Sequence, residues 1–414
     1  MAPTRGGDAS DRDNRQGPLK GVRVIDLTHV MAGPTCTLML ADMGADVIKV
    51  EKVPDGDDTR RSIPPAVGAE SAAFMMMNRN KRGIALNLKT SGGRSVLQRL
   101  LADADVVVEN YRPGTMAKLG FDYDELRKEN PALIYCALSG FGRSGPYGHR
   151  GGFDLVAQAM SGLMSITGEG PGKAPVKCGA PVTDITCGIL AALGIVSAYT
   201  HRLKTGQGQM VDTSLFEAGI VQTYWQSAIT LATGEAPGPM GSAHPLNAPY
   251  QAFETADGWI VIGGSNQRNW LRTLEALKAN HLADDARFRD NQDRMAHLGE
   301  LEEALAPFFK QRSSADLLEA FEEIGVPAGP VNDVLQMQAD PQTRARNMVT
   351  MVEHEGEGKV ETIGLPIKFS DTPGKVRTGA PLYGQHTRDV LREVGFEDAV
   401  IADLLTEGAI IAAE

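Results

Sequence analysis

Apolar positions along the chain fall into short β-branched runs that alternate with stretches of helical spacing. From Val22 to Leu27 the sequence reads VRVIDL, which suits a buried strand. AGPTCTLMLADMG follows, with Pro34 near a helix start and Gly44 at its end, and a second strand runs from Asp46 to Glu51. The alternation continues through a strand at Ile84–Leu88, a helix over Gly92–Ala104, a strand at Asp105–Glu109, a helix near Tyr123–Glu129 and a strand at Leu133–Ala137. Strands separated by crossover helices imply a parallel sheet with helices on its faces, an α/β fold.

Further along, Ile185 to Thr200 is apolar but interrupted by Thr186 and Cys187. It falls short of the roughly 18–20 residues that span a bilayer, and it predicts a buried helix. A basic turn, His201 to Gly206, leads to a strand at Gln209–Asp212 and a helix through Trp225 to Leu231; Gly234 to Asn247 is glycine-rich and polar, like a linker. Tyr250–Thr255 and Trp259–Gly263 suggest a hairpin around Asp257-Gly258, with helices over Asn269–Lys278, Leu298–Phe309 and Ala315–Ile324. This predicts a smaller α+β domain. Two strands, Met348–Glu353 and Lys359–Ile363, and two short helices then return toward the first domain. The expected organisation is a disordered tail over 1–18, a large domain over 19–230, a linker over 231–249, a small domain over 250–331 and a return segment over 332–414.

Composition narrows the function. A net charge of −11 argues against general attraction to nucleic acid or to an anionic membrane. Cys36, Cys136, Cys178 and Cys187 have no CxxC spacing, which fits neither a zinc site nor a disulfide framework and points to a reducing cytoplasm. The eight histidines form no HExxH or paired ligand spacing, so no metal is expected. The first 17 residues have no apolar core and read as neither a signal peptide nor an anchor.

The first strand-to-helix turn, Thr28-His29-Val30-Met31-Ala32-Gly33-Pro34, lacks the GxGxxG fingerprint, which disfavours a dinucleotide. Asp184 stands directly before the apolar helix. One reading makes it an N-cap, contributing about 0.5–2 kcal/mol; the other makes it a carboxylate nucleophile for acyl transfer. Gly263-Gly264-Ser265-Asn266-Gln267 offers small residues whose N–H groups could approach a reacting acyl group, although ordinary turns look the same. Lys49, Lys52, Lys81, Arg82, Lys89 and Lys118 lie near strand and helix ends, where an α/β sheet places its ligands; solvated surface lysines are the competing reading.

PLKGVRVIDLTHVMAGPTCTLMLADMGADVIKVEK, GDDTR, NRNKRGIALNLK, VVVENYRPG, SGFGRSGP and the Asp184 segment together resemble the family III CoA-transferases, from about Leu19 to Phe396. The resemblance implies a Rossmann-like large domain built from N- and C-terminal parts, a small domain between them, and two subunits interlocked as a homodimer. It assigns Asp184 as the nucleophile that carries aspartyl anhydride and aspartyl-CoA thioester intermediates, with the loop at Gly263 and Gly264 closing over them. It places coenzyme A, a co-substrate rather than a resident cofactor, along His29, Val30, Met31, Ala32, Lys52, Leu86, Lys89, Asn110, Tyr111 and Lys118.

Met31, Ser62 and Phe141 stand where formyl-CoA transferases carry other side chains, which disfavours oxalate and formyl-CoA. GDDTRR resembles the succinyl-CoA-dependent branch, in which Arg60 or Arg61 could pair with the distal carboxylate of a dicarboxylate; a structural ion pair is the equal alternative. The related α-methylacyl-CoA racemases need a histidine where Phe153 stands, so racemization is the second reading and non-catalytic acyl-CoA binding the third.

Overall fold

The computed structural model describes residues 15–413 and divides into two units. One gathers the described residues up to Ser161 with Gly179–Gln222 and the chain from Pro341 onward; the other holds Gly162–Cys178 and Thr223–Asp340.

The first unit is organised by a seven-stranded sheet. Its strands are β1 (Arg23–Asp26), β2 (Asp46–Lys52), β3 (Arg82–Leu86), β4 (Val106–Glu109), β5 (Ile134–Ser139), β6 (Met210–Ser214) and a terminal strand, Ile410–Ile411. The spatial order is terminal strand, β3, β2, β1, β4, β5, β6. All neighbours are parallel except the terminal strand, which runs antiparallel to β3. Order 3-2-1-4-5-6 is that of a doubly wound Rossmann sheet, and its direction of winding reverses between β1 and β4.

Successive strand residues face opposite layers. Val24, Val47, Val106 and Ile134 point to the face covered by α1 (Ala32–Asp42) and by the helix that carries Asp184. Ile25, Ile48, Ile84, Val107 and Tyr135 point to the other face, covered by α2 (Ser91–Ala102) and by Val390, Leu391, Ile401 and Leu404 of the C-terminal helices. The return segment therefore completes one layer of the first core.

Charge is buried between these layers. Asp26, at the end of β1, is fully enclosed; it accepts from the Thr28 backbone N–H (3.0 Å), from the Thr28 and Thr37 hydroxyls (2.6 and 2.7 Å) and from Lys81 Nζ (3.1 Å). Lys49 Nζ, equally enclosed, donates to the Thr28 carbonyl and to Asp57, both at 2.9 Å. Burial opposes the charge on Asp26, but Lys81 and Lys49 overcome it and hold the carboxyl below its usual range. Lys81, enclosed and beside a second ammonium, is pushed down to about 8. Lys49 and Lys81, expected among the phosphate-neutralising cations, are therefore structural: neither side chain reaches the surface. Arg82 is likewise engaged, by Asp46 and Glu393.

Residues 15–18, assigned to the tail from sequence, are seated. Arg15 pairs with Asp46 at 2.9 Å, and Gly17, at φ 130°, lies so close to Met43 that a Cβ would fall 2.2 Å from its carbonyl oxygen. The remainder of that segment, 1–14, lies outside the described residues.

In the second unit, β7 (Tyr250–Glu254), β8 (Trp259–Gly263) and β9 (Ala328–Pro330) form an antiparallel sheet in the order β9, β8, β7. Three helices, Gln267–Leu277, Leu298–Lys310 and Ser314–Glu323, close a core around Trp270, Phe288, Phe309 and Phe321. This unit is larger than the 250–331 span read from sequence, because the glycine-rich stretch is bound into it: Gly241 N–H donates to the Gly168 carbonyl at 2.8 Å.

Lys49→Met leaves Asp57 enclosed without its cation and is expected to cost about 3–5 kcal/mol. Urea unfolding at pH 7 checks this. Adding Asp57→Leu to Lys49→Met is expected to recover part of the loss, because the stranded charge is then removed.

Candidate functional site

The turn after β1 lies at the carboxyl end of the sheet, where the winding reverses between β1 and β4 and where doubly wound sheets bind ligands. Asn110, just past β4, ties the two strands together: its side-chain oxygen accepts from His29 N–H (3.0 Å) and its Nδ2 donates to the His29 carbonyl (2.8 Å). Val30 follows with φ 66°, a left-handed conformation costly for a β-branched residue. The Val30 N–H donates to Asp57, which the buried Lys49 holds in place. A Cβ on Gly33 would come within 2.3 Å of the Thr28 side chain, so glycine lets α1 begin directly after this turn.

Asp184 lies on α4 (Val182–Thr205), in the first turn rather than at the cap. The N-cap reading fails, since Pro181 occupies that position. The capping task belongs to Asp154, at the start of α3 (Asp154–Met160): its carboxylate accepts from the Thr183 backbone N–H at 3.0 Å and the Thr183 hydroxyl at 2.7 Å. Among the described residues no hydrogen-bond donor reaches the Asp184 carboxylate, which leaves its oxygens available. Gly188, one turn on, allows the helix to press against α1, because a Cβ there would fall 2.6 Å from the Ala32 carbonyl oxygen. Burial, with a smaller contribution from Asp154, raises the Asp184 carboxyl to about 6. The partial positive charge of the helix N-terminus acts in the opposite sense and is outweighed.

Asp184 opens onto a cavity of about 210 Å³ walled on one side by His29, Val30, Met31, Ala32, Asn110 and Tyr111. A second cavity of about 200 Å³ is lined by Lys52, Leu86, Lys89 and Tyr111. A small one of about 60 Å³, bordered by His29, Lys52 and Tyr111, lies between them. Nine of the ten residues assigned to coenzyme A thus fall on one track that runs away from Asp184. Lys118, the tenth, is exposed on the short helix Thr115–Leu119 and lines none of these cavities. Burial lowers the His29 imidazole below its ordinary range, which favours the uncharged form of the ring beside Tyr111.

Other expected residues lie elsewhere. Arg60 is engaged by Glu51 (2.6 and 2.8 Å), Glu70 (3.3 Å) and the Pro381 carbonyl (2.9 Å), with its guanidinium over Phe74. It is a structural residue and leaves no donor edge for a substrate. Arg61 is exposed, pairs with Asp58 and Asp55, and is outside the Asp184 cavity. Phe141 packs between Tyr147 and Phe216, behind the cavity wall. Phe153 lines the cavity, and its ring has no proton to exchange. Gly263 and Gly264 belong to the second unit, where Gly263 ends β8 and Gly264 follows it; a Cβ on Gly264 would meet the Pro249 carbonyl oxygen at 2.9 Å.

Sequence reasoning did not single out Asp57, Glu109, Asp154 or Arg150. Glu109 accepts from the Tyr111 backbone N–H (2.9 Å), Tyr135 hydroxyl (3.2 Å) and Arg143 (2.9 Å), which fixes the wall that Tyr111 forms. The one available signal was position: Glu109 ends β4 and Asp57 comes shortly after β2, both at the ligand-binding edge.

Comparison with known proteins identifies the family. The family model described as CoA-transferase family III matches residues 19–387. An acyl-CoA transferase of Fusarium pseudograminearum is 42% identical over 95% of this chain and 89% of its own length. A succinate–glutarate CoA-transferase of Agrobacterium fabrum is 40% identical over 93% of this chain and 98% of its own. The crystal structure of a CAIB/BAIF family protein from Brucella suis superposes with a TM-score of 0.82 at 40% identity, covering 92% of this chain and all of that one. On the strength of the match across almost its whole length, this chain belongs to CoA-transferase family III and is a CoA-transferase.

Proposed function

We propose that the enzyme moves CoA from succinyl-CoA to a dicarboxylic acid through covalent intermediates on Asp184. The observation that carries this reading is the Asp184 carboxylate itself, half-buried, unengaged by any donor among the described residues, and open to a cavity at the switch point of the sheet. The substrate class rests on the Agrobacterium relative, whose name gives succinate and glutarate.

Each step balances without an outside reagent. An Asp184 oxygen attacks the thioester carbon, the C–S bond breaks, and CoA leaves as thiolate while a mixed anhydride forms. The thiolate then attacks the aspartyl carbonyl, releasing the donor acid and leaving an aspartyl-CoA thioester. The acceptor carboxylate attacks that thioester to make a new anhydride and frees the thiolate again. Finally the thiolate takes the acceptor acyl group and Asp184 returns as carboxylate. A raised carboxyl makes a better nucleophile than an ordinary aspartate once ionised, and the His29 ring in its favoured uncharged form adds no competing charge. Phe153 argues against racemization, because a second acid–base group is absent at its place.

We also propose a homodimer. Helices α3 and α4 expose Leu155, Val156, Met160, Ile189 and Leu193, a row of apolar side chains of the kind that a subunit interface covers.

Hydroxylamine added during turnover with succinyl-CoA is expected to convert Asp184 to a hydroxamate, detected by peptide mass spectrometry, and Asp184→Asn is expected to give none. Acyl-CoA binding without any modification of Asp184 would defeat the covalent reading.

The single-turnover acylation rate is expected to rise about tenfold per pH unit up to about 6 and to level off above it. Stability moves the other way: a carboxyl raised from 3.8 to about 6 binds its proton more tightly in the folded protein, so its stabilising contribution is present at low pH and lost as pH rises through that window. Asp184→Asn is therefore expected to unfold at a higher temperature than the parent at pH 7 and at the same temperature near pH 3.

Leu193→Asp is expected to shift the protein from dimer to monomer in size-exclusion chromatography with light scattering.

A further inference from the structure

We infer that Arg150 sets acyl-group specificity by pairing with the distal carboxylate of both donor and acceptor; this rests on the dicarboxylate reading above. The arginines that line the Asp184 cavity are Arg112 and Arg150. Other arginines of this unit are committed: Arg60 to Glu51 and Glu70, Arg82 to Asp46 and Glu393, Arg143 to Glu109. Among the described residues no carboxylate pairs with the Arg150 guanidinium. It lies instead over the Tyr147 ring, 4.1 Å from the centroid. Tyr147 meets Phe141 edge-on at 5.7 Å, and Phe141 meets Phe216 at 5.8 Å. An aromatic platform orients a guanidinium through its face and leaves the donor edges free, so the positive charge is held in place and not neutralised.

The segment carrying Arg150 is fixed to the nucleophile. Gly140 and Gly152 approach so closely that a Cβ on either would lie 2.6 Å from backbone of the other. Phe153, in the same cavity wall, precedes Asp154, whose carboxylate holds Thr183, the neighbour of Asp184. Arg112 directly follows Tyr111, the residue shared with the cavities of Lys52 and Lys89, and so stands at the end of this cavity next to the proposed coenzyme track. Both acyl groups of the reaction pass through the same aspartyl carbonyl, one as donor and one as acceptor. A single cation near that carbon therefore meets the far carboxylate of each in turn.

The test compares kcat/KM for succinyl-CoA against butyryl-CoA as donors, and for glutarate against valerate as acceptors. Arg150→Gln is expected to cut both charged-over-neutral ratios by about tenfold or more, wholly through the dicarboxylate arm, with the monocarboxylate arm unchanged. Arg150→Lys is expected to keep part of each preference, and Tyr147→Leu to fall between the parent and Arg150→Gln. Wild-type ratios in Arg150→Gln would overturn the inference, and so would an equal fall in both arms, the mark of a merely structural role. A parent enzyme that labels Asp184 with butyryl-CoA as readily as with succinyl-CoA would also overturn it while leaving covalent CoA transfer intact. Failure of every acyl-CoA to label Asp184 would instead bring down the proposed function together with the role of Arg150.

Discussion

Two buried ion pairs at the end of the central strands support the rest of the site. Lys81 with Asp26 and Lys49 with Asp57 are buried, and together they hold the Thr28 carbonyl, the Thr28 N–H and the Val30 N–H in one arrangement. A hydrophobic core of the same volume could stabilise the sheet equally well, but it could not dictate where individual backbone groups of a turn must point. Val30 is forced into a conformation that it would not adopt alone, and the enclosed charges supply the constraint that keeps it there. The chemistry at the mouth of the sheet thus depends on electrostatics beneath it.

The same economy of position recurs around Asp184. Helix capping, which an aspartate in that neighbourhood would ordinarily perform, is carried out by Asp154 from another helix. One carboxylate satisfies the backbone and the other is left unsatisfied beside it. Burial raises the free one, and the neighbouring carboxylate raises it further. Gly33 leaves room for the Thr28 side chain and Gly188 for the Ala32 carbonyl, at distances that a Cβ would not permit.

Much of this fold was legible in the sequence, because strand and helix periodicities are local. The first five strands, the helix at Tyr123–Glu129 and the β7–β8 hairpin lie within a few residues of where the pattern put them. Elements too short for a period were not: the Ile410–Ile411 strand consists of two residues, and α3 is a single seven-residue helix with much of its apolar surface exposed. Asp184 and the residues that line the cavities beside it were singled out through resemblance, not through periodicity or spacing. Misreadings came where charge was interpreted without its partner. Lys49 and Lys81 sit where ligand-binding cations are expected, and only the three-dimensional arrangement reveals that Asp57 and Asp26 already occupy them; for Arg60 the pair with Glu51 is the structural alternative that the sequence had left open. Arg150 was overlooked for the converse reason, since nothing in its local sequence distinguishes an arginine that lacks a carboxylate.

The interrupted first unit has a consequence for how the chain is made. The second unit draws almost entirely on the continuous stretch Thr223–Asp340 and can close around Trp270 and Phe309 as soon as that stretch has emerged from the ribosome. The sheet of the unit that bears Asp184 is synthesised earlier but cannot finish earlier. Its outer strand β3 waits for Ile410–Ile411, and one of its faces waits for Val390, Leu391, Ile401 and Leu404. During synthesis the older part of the protein is therefore the unfinished part, with an open strand edge and an uncovered apolar layer, and its maturation is governed by residues translated after the whole of the second unit.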